Sequence, residues 1–225
     1  MTPALRPPAG PMKRRIGLFG GTFDPPHVGH LALAEWARQA LRLDRVLFVP
    51  AGRPPHKGRA RISAVEHRVA MTRLAVRDNP AFTVSGLETR RDGPSFTVDT
   101  LRALRRREPR ARIYLLMGAD SLAEFPTWRD PEEILAFAKL AVAPRPGAAP
   151  PSPAPRRGTG APARRRGVGA APRGVPAASH IAWLGSPGLE VSSNAIRARL
   201  RAGRSARYLI PDAVARYIAR HRLYR

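Results

Sequence analysis

The sequence predicts an α/β protein in which a parallel sheet carries helices on both faces, with a small helical part at the C-terminus. Short apolar runs alternate with stretches of helical periodicity along most of the chain, which is typical of strands linked by helices. A glycine-rich turn joins the first apolar run to the first helical pattern. With 225 residues, 43% of them hydrophobic, the chain is long enough for one substantial core.

The first quarter of the chain already shows this alternation. Residues 16–19 are an apolar run that predicts a buried strand. Residues 31–41 carry apolar side chains at helical spacing, which predicts an amphipathic helix. Residues 45–49 predict a second buried strand. Residues 50–61 are rich in proline, glycine and basic side chains, and therefore predict a loop.

The next elements begin with a capping signal. Ser63, followed by Glu66 three residues later, predicts a capping box at the start of a helix that ends near Val76. Residues 82–87 predict a short strand that bends at a glycine. Residues 97–107 predict a helix, because a valine and two leucines recur on one of its faces.

The central region continues the pattern. Residues 113–117 and 140–143 predict buried strands, and short helices are predicted near Ser121 and over residues 131–137. Strands that alternate with helices are expected to be parallel, because a parallel pair needs a crossover connection. Ligands are then expected at the carboxyl ends of the strands.

The last elements form the small C-terminal part. Residues 180–184 predict the final strand. A helix is predicted to open at Val191 and to end near Gly203, and Asp212 is predicted to cap a last amphipathic helix.

Two segments fall outside this pattern. Residues 1–12 are predicted to be a disordered tail, with Met12 as the expected natural start. Residues 13–225 are predicted to be a single domain, interrupted at 145–178 by a disordered insertion of proline, alanine, glycine and arginine. This arginine-rich insertion is either an expanded surface loop or a site of weak nucleic-acid contact.

Composition limits the function classes. The formal net charge of +24 favours polyanionic partners, although an excess of arginine, alanine and proline is also typical of GC-rich genomes. The absence of cysteine excludes disulfides and cysteine metal ligands. No run of 18 apolar residues and no secretory signal are visible, so we expect a cytoplasmic protein without membrane contact.

The strongest functional signal lies between the first strand and the first helix, where residues 20–30 read GGTFDPPHVGH. Two glycines let the backbone approach a ligand closely, and a helix N-terminus offers unpaired N–H groups that suit phosphate. His27 and His30, three residues apart at the helix start, can face the same anion. A site that holds a nucleoside triphosphate is predicted. The Rossmann pattern GxGxxG is absent from this segment, and the Walker pattern GxxxxGK[ST] is absent from the whole sequence. The sequence therefore does not favour either of these other phosphate-binding classes.

A second helix start, late in the chain, carries residues of the same chemistry. Ser192 and Ser193 offer hydroxyls next to the first N–H groups of a helix. Arg197, one turn later, can reach the same end of that helix. We predict that both helix starts contact one triphosphate.

These segments resemble known motifs. Residues 20–30 resemble the GGTFDPxHxGH signature of the nucleotidyltransferase superfamily, and residues 192–197 resemble its SSTxIR motif, with asparagine in place of threonine. The resemblance covers residues 16–144 and 180–224 and implies a Rossmann-like nucleotidyltransferase fold.

Three further segments resemble the bacterial nicotinate-nucleotide adenylyltransferase branch of that superfamily. They are PPHK at residues 54–57, GPSFTVDTL at residues 93–101, with phenylalanine where tyrosine is common, and GADS followed by FPTW within residues 118–128. The resemblance implies transfer of AMP from ATP to nicotinate mononucleotide, which yields nicotinate adenine dinucleotide and pyrophosphate in NAD biosynthesis.

The resemblance also implies roles for particular residues. Catalytic roles are expected for His27, His30 and Arg197. The residues expected to bind ATP are Gly20, Gly21, Thr22, Phe23, His27, His30, Gly118, Asp120, Ser192, Ser193 and Arg197. The residues expected to bind the acceptor are Asp24, Lys57, Thr97 and Trp128, with the indole stacked on the pyridine ring. Mg²⁺ is expected to arrive with ATP rather than in a protein site, because no HExxH or cysteine ligand accompanies the two histidines.

The implied reaction requires mainly that the protein hold the two substrates in the right relative position. The attacking phosphate is already ionised at neutral pH, so no general base is needed, and stabilising charge on the phosphates carries the rate. Two alternatives stay open: a sister enzyme that acts on nicotinamide mononucleotide or another phosphorylated acceptor, and a nucleic-acid-binding role of the arginines. A homo-oligomer also stays open.

Overall fold

The computed structural model describes residues 14–54, 62–144, 176–185 and 188–225. The strands in these ranges are β1 (Arg15–Gly21), β2 (Arg45–Pro50), β3 (Phe82–Val84), β4 (Arg112–Gly118), β5 (Ala138–Ala143) and β6 (Ile181–Trp183). They form a six-stranded sheet in the order β3-β2-β1-β4-β5-β6, and every neighbouring pair is parallel. The predicted parallel sheet is confirmed.

Seven α-helices connect or follow these strands within the described ranges. They are α1 (Val28–Ala40), α2 (Val65–Val76), α3 (Thr97–Arg107), α4 (Ala119–Glu124), α5 (Pro131–Phe137), α6 (Ser193–Arg201) and α7 (Asp212–Arg220). Short 3₁₀-helices cover Phe125–Thr127 and Ala178–His180. None of the helices in the described part of the chain is both long and apolar enough to span a membrane.

Successive residues of a strand point to opposite faces of the sheet. Helices cover both faces here, so both sets of side chains are buried. One face packs Leu18 and Leu115 against α3, and the other packs Phe19 and Phe48 against α1. Strands covered on both sides must be apolar throughout, which explains the continuous apolar runs in the sequence. The prediction of helices on both faces is confirmed.

The C-terminal part is a separate packing unit on one side of the domain. Met71 of α2, Ile196 of α6, and Val214 and Ile218 of α7 form a third buried cluster. The last two helices therefore pack on α2 rather than on the sheet, and the predicted small C-terminal helical part is confirmed.

The start of α2 differs from the predicted capping box. The helix begins at Val65, with Ala64 in the N-cap position and no side-chain cap. Ser63 instead makes contacts through its backbone. Its N–H donates to Asp24 Oδ2 at 3.1 Å, and its carbonyl accepts from Arg68 Nε at 3.0 Å. A long-range contact has replaced the local cap.

The end of β3 and the start of α7 also differ from the predicted boundaries. Strand β3 ends at Val84, after which the Ser85 N–H donates to the Phe48 carbonyl at 2.8 Å and the chain leaves the sheet. Pro211, not Asp212, takes the N-cap position of α7. Asp212 is the first helical residue, where a carboxylate still favours the positive end of the helix.

Arg68, in α2, ties the loops at the carboxyl ends of β1 and β2 together. Its guanidinium is 2% exposed and donates to the carbonyls of Thr22 (3.1 Å), Ala51 (2.6 Å) and Gly52 (3.0 Å). Backbone groups of two loops thus share one charged donor, which holds both loops in a fixed relation.

The strand order reverses direction between β1 and β4, which are neighbours in the sheet although β2 and β3 lie between them in sequence. Such a switch point opens a crevice at the carboxyl ends of the two strands. Gly21 ends β1 and Gly118 ends β4. Residues 1–12, residues 145–175 of the predicted insertion, and Lys57 lie outside the described residues.

Candidate functional site

Two adjoining cavities lie at the switch point. The histidine–serine lobe has a volume of about 440 Å³, and its lining includes His27, Gly29, His30, Gly118, Asp120, Ser192 and Ser193. The tryptophan lobe has a volume of about 410 Å³, and its lining includes Gly20, Gly21, Thr22, His30, Glu88, Thr97, Gly118 and Trp128. Because His30 and Gly118 line both, the lobes form one continuous cleft of a size that suits small-molecule ligands.

The two helix starts singled out in the sequence meet beside this cleft. Ser193 Oγ donates to the Pro25 carbonyl at 2.9 Å, and Arg197 Nη1 donates to the Asp24 carbonyl at 2.7 Å. These contacts join segments that are far apart in the sequence. The predicted proximity of the glycine–histidine segment and the serine segment is therefore present in the structure.

The two histidines are arranged by the start of α1. His27 is the N-cap residue, and its backbone N–H donates to His30 Nδ1 at 3.1 Å. The two rings stack with centroids 3.6 Å apart. A neutral imidazole that accepts through Nδ1 carries its hydrogen on Nε2. His30 therefore has an N–H donor on the ring nitrogen opposite its cap contact.

Phe23 supports these rings from below. It is 1% exposed, and its ring centroid lies 5.0 Å from that of His30 in an edge-to-face arrangement. A Cβ atom on Gly21 would lie 2.9 Å from the Phe23 ring, and one on Gly29 would lie 3.1 Å from His27 Nδ1. Close ring packing thus requires two of the motif glycines, Gly21 and Gly29.

Burial lowers the pKa of His27 to about 4, so this ring is neutral at physiological pH. Its Nδ1 atom is inaccessible to solvent and faces the first turn of α1, where the His27 side chain and the His30 N–H form one half of a capping box. The Nδ1 side of the ring is therefore directed at the helix and not at the cleft.

The lowered pKa of His27 predicts acid-sensitive stability. Between the unfolded pKa near 6.5 and the folded pKa of about 4, the unfolded chain takes up a proton that the folded protein does not, so stability falls as the pH is lowered through this window. At pH 5.5 the expected loss is about 1.2 kcal/mol relative to pH 7. Urea unfolding of the wild type and of His27→Gln at both pH values checks it. The variant should lose less stability than the wild type, and equal losses would contradict the assignment.

The tryptophan lobe combines an aromatic wall with a helix start. Thr97 is the first residue of α3, and Trp128 packs against Phe125 with ring centroids 5.6 Å apart. The first N–H groups of α3 give this end of the helix positive partial charge. The lobe can therefore take a flat ring and a negatively charged substituent.

Glu88 lines this lobe and was not predicted from the sequence. Its side chain is buried, and Oε1 accepts a 2.7 Å hydrogen bond from Thr100 Oγ1 in α3. Burial raises the pKa of this carboxyl group. An isolated glutamate after a short strand carries no local signal, and its partners are Thr100 in α3 and Ser95 just before that helix.

The structure brings most of the predicted site residues to the cleft. Among the predicted residues, those that line a lobe are Gly20, Gly21, Thr22, His27, His30, Thr97, Gly118, Asp120, Trp128, Ser192 and Ser193. Phe23, Asp24 and Arg197 do not belong to either lining, and Lys57 lies outside the described residues.

Asp24, which was expected to contact the acceptor, lies behind the cleft in this structure. Asp24 is 2% exposed, and its two carboxylate oxygens accept from the Tyr224 hydroxyl at 2.6 Å and from the Ser63 N–H at 3.1 Å. The side chain is buried and belongs to neither lining, so the contacts that it makes in this structure join the loop to neighbouring segments.

Arg197 and Phe23 also act from behind the cleft. The Arg197 guanidinium donates to the Asp24 carbonyl and to Asn194 Oδ1, while its Nε atom is buried without a partner among the described residues. In this structure the Arg197 guanidinium therefore contacts the loop, and the Phe23 ring packs under His30.

The chain is similar to known proteins along most of its length. Residues 18–199 match a family model described as cytidylyltransferase-like. The chain is 42% identical over 210 residues to a protein of Salinibacter ruber named probable nicotinate-nucleotide adenylyltransferase, covering 93% of this chain and 97% of the relative. It is 44% identical over 211 residues to a protein of the same name from Thermus thermophilus, covering 94% of this chain and all of the relative.

Solved structures share the fold. Nicotinic acid mononucleotide adenylyltransferase of Plasmodium falciparum, complexed with NaAD, superposes with a TM-score of 0.69 at 16% identity and covers 94% of this chain and 97% of its own. The same enzyme complexed with APC gives a TM-score of 0.67. At this level of identity the likeness supports the fold alone, and the predicted Rossmann-like nucleotidyltransferase fold is confirmed.

Proposed function

The chain belongs to the nicotinate-nucleotide adenylyltransferase family, and on that premise we propose that it transfers AMP from ATP to nicotinate mononucleotide, giving nicotinate adenine dinucleotide and pyrophosphate. The observation that carries this proposal is the two-lobed cleft with His30 and Gly118 at its junction. Two nucleotides that must react need two adjoining subsites with the reacting phosphates at the boundary.

We place the triphosphate in the histidine–serine lobe. The N-terminus of α1, the neutral His27 and the Nε2–H of His30 supply donors on one side. On the other side, Ser192 Oγ accepts from the Ala195 N–H at 3.2 Å, which leaves the hydroxyl hydrogen available to an anion. Ser193 already donates its hydrogen to the Pro25 carbonyl, so we assign the direct phosphate contact to Ser192.

We place nicotinate mononucleotide in the tryptophan lobe. The exposed part of the Trp128 ring provides a stacking surface for the pyridine ring, and Thr97 lies at the start of α3. A helix N-terminus favours a carboxylate over a neutral amide, which supports the acid as the preferred acceptor. Gly118 leaves room for the two phosphates to approach, since a Cβ atom there would meet nothing within 4 Å.

The chemistry then follows from placement. The acceptor phosphate attacks the α-phosphorus of ATP, the new phosphoanhydride bond forms, and pyrophosphate leaves. The nucleophile is an anion at neutral pH, so no residue needs to remove a proton. His30 and the helix N-termini donate to phosphate oxygens on which charge accumulates, in a cleft where such bonds are stronger than in water.

We propose that Mg²⁺ enters as part of the ATP substrate. No group of three or more histidine, aspartate or glutamate side chains in the described ranges could hold a metal ion. Mg²⁺ is commonly bound through substrate phosphates and waters, which suits a site built from hydroxyl and N–H donors. The single interrupted domain, the cytoplasmic location, the homo-oligomer and the weak nucleic-acid contact of residues 145–178 stay predictions.

The experiment that tests the function is a pyrophosphate-release assay with ATP and either nicotinate or nicotinamide mononucleotide. We expect kcat/KM to be at least about 100-fold higher for the acid. Donors that pair with the carboxylate would be left without a charged partner when the neutral amide binds, and such a loss discriminates strongly between two ligands. A preference for the amide would contradict the acceptor assignment. Absence of pyrophosphate with both would refute the proposed function.

Substitution of two different tryptophans separates a loss of acceptor binding from the general effect of removing an indole ring. Trp128→Ala is expected to raise the KM for nicotinate mononucleotide about tenfold or more while the KM for ATP changes little, because loss of base–aromatic stacking costs about 1–3 kcal/mol. Trp36→Ala is the matched control, since Trp36 lies on α1, is 45% exposed, and is outside both linings. Equal changes in the two KM values for Trp128→Ala would place the acceptor elsewhere.

A further inference from the structure

The C-terminal segment returns to the glycine–histidine loop after α7. Tyr224 Oη donates to Asp24 Oδ1 at 2.6 Å, a contact between residues 200 positions apart. Burial and the neighbouring Asp24 raise the pKa of Tyr224, so the hydroxyl keeps its proton and acts as a donor. Arg222 and Tyr224 have φ angles of 52° and 62°, which non-glycine residues seldom adopt. The segment accepts an unfavourable backbone conformation that brings this hydroxyl to Asp24.

Asp24 and Pro25 also accept three hydrogen bonds from two other parts of the protein, the segment ahead of α2 and helix α6. The Asp24 side chain accepts from the Ser63 N–H ahead of α2, and its carbonyl accepts from Arg197 of α6. The Pro25 carbonyl accepts from Ser193 at the start of α6. A shift of this dipeptide therefore moves the loop relative to the start of α6.

The contacts of this dipeptide are unevenly distributed between the two lobes. Ser193 lines the histidine–serine lobe, and His27 lies two residues beyond Pro25 in the same lining. On the other side, Thr22 lies two residues before Asp24 and lines the tryptophan lobe, but its carbonyl is held separately by Arg68 Nη1 at 3.1 Å. Neither Asp24 nor Tyr224 lines either lobe. Displacement of Asp24 should therefore disturb the site of the triphosphate and leave the acceptor site largely unchanged.

We propose that Tyr224 is a positioning residue for the nucleoside triphosphate: through its hydrogen bond to Asp24 it sets the spacing between the histidine pair and the start of α6. Without the hydroxyl, a carboxylate oxygen that is buried and charged loses a donor. The Asp24 side chain must then turn toward another donor or toward water, and the dipeptide moves with it. The proposal rests on the proposed function only for the identity of the triphosphate as ATP.

The test compares Tyr224→Phe with Tyr217→Phe. Tyr217 is the matched control, because it lies on α7 and its hydroxyl also makes one side-chain hydrogen bond, 2.9 Å to His67 Nδ1, away from the cleft. Calorimetric titration with a non-hydrolysable ATP analogue, without acceptor, measures binding directly. For Tyr224→Phe we expect the Kd of the analogue and the KM for ATP to rise about tenfold, and the KM for nicotinate mononucleotide to stay within about twofold.

A double substitution shows whether Tyr224 acts through Asp24. If it does, Tyr224→Phe adds little to the loss of analogue binding already caused by Asp24→Asn. Additive losses, an equal change in both KM values, or an effect no larger than that of Tyr217→Phe would overturn the proposal. Loss of the folded state in Tyr224→Phe alone would also overturn it, since the bond would then serve stability. A wild type that binds the analogue but forms no dinucleotide would refute only the proposed function.

Discussion

Replacement of His30 by alanine is expected to lower kcat/KM for adenylyl transfer by about 1,000-fold, with little change in stability. His30 lines both lobes. Its Nδ1 atom accepts a hydrogen bond from the His27 N–H, so the Nε2–H group lies on the opposite side of the ring. Removal of one well-placed donor to a developing negative charge typically costs about 10²–10³ in rate. In the proposed arrangement this side chain stands where the two phosphate groups meet.

Steady-state kinetics of His30→Ala, together with its thermal midpoint, check this prediction. His221→Ala serves as the control, because His221 is an exposed imidazole at the end of α7 and lines neither lobe. Near-normal turnover of His30→Ala would remove the phosphate assignment of the histidine pair. A collapse of its thermal midpoint would instead show that the ring is mainly a packing residue over Phe23.

Replacement of Gly118 by valine is expected to lower kcat/KM more than about 100-fold while the protein stays folded. Gly118 ends β4 with φ −84° and ψ 165°, a conformation that any residue adopts, and a Cβ atom there would meet nothing within 4 Å. The empty space is the cleft itself, because Gly118 lines both lobes. A branched side chain would occupy the place where the acceptor phosphate approaches ATP, and a misplacement of about 1 Å can cost about 10²-fold.

Gly185→Val is the matched control for this substitution. A Cβ atom on Gly185 also meets nothing within 4 Å, and the residue lines neither lobe. We expect both variants to unfold within a few degrees of the wild type and only Gly118→Val to lose activity. If Gly118→Val keeps its activity, the two phosphates do not meet at the end of β4.

Both predictions depend on the same property of the fold. A parallel sheet with this strand order places the loops after β1 and β4 side by side, so residues that are far apart in sequence share one crevice. Among the residues that the structure describes, the donors that line it are backbone groups, hydroxyls and imidazoles, which suit phosphate oxygens.

Much of this molecule could be predicted from the sequence, because the deciding signals are local. Alternation of apolar runs with helical periodicity predicted the parallel sheet, since each pattern reports only the next few residues and their burial. The glycine–histidine segment predicted a phosphate site for the same reason: the turn, the helix start and the spacing of His27 and His30 all lie within one stretch of chain.

The tertiary structure decided which polar side chains face the ligand and which hold the loops. Asp24 reads as a ligand contact in sequence, but Tyr224 and Ser63 occupy its carboxylate, and Ser63 is thereby drawn away from the cap it was predicted to form. Glu88 carries no local signal at all, and its partners are Thr100 in α3 and Ser95 just before it. A buried polar group must be paired, and its partner comes from whichever distant segment packs against it, so local sequence cannot specify the pairing.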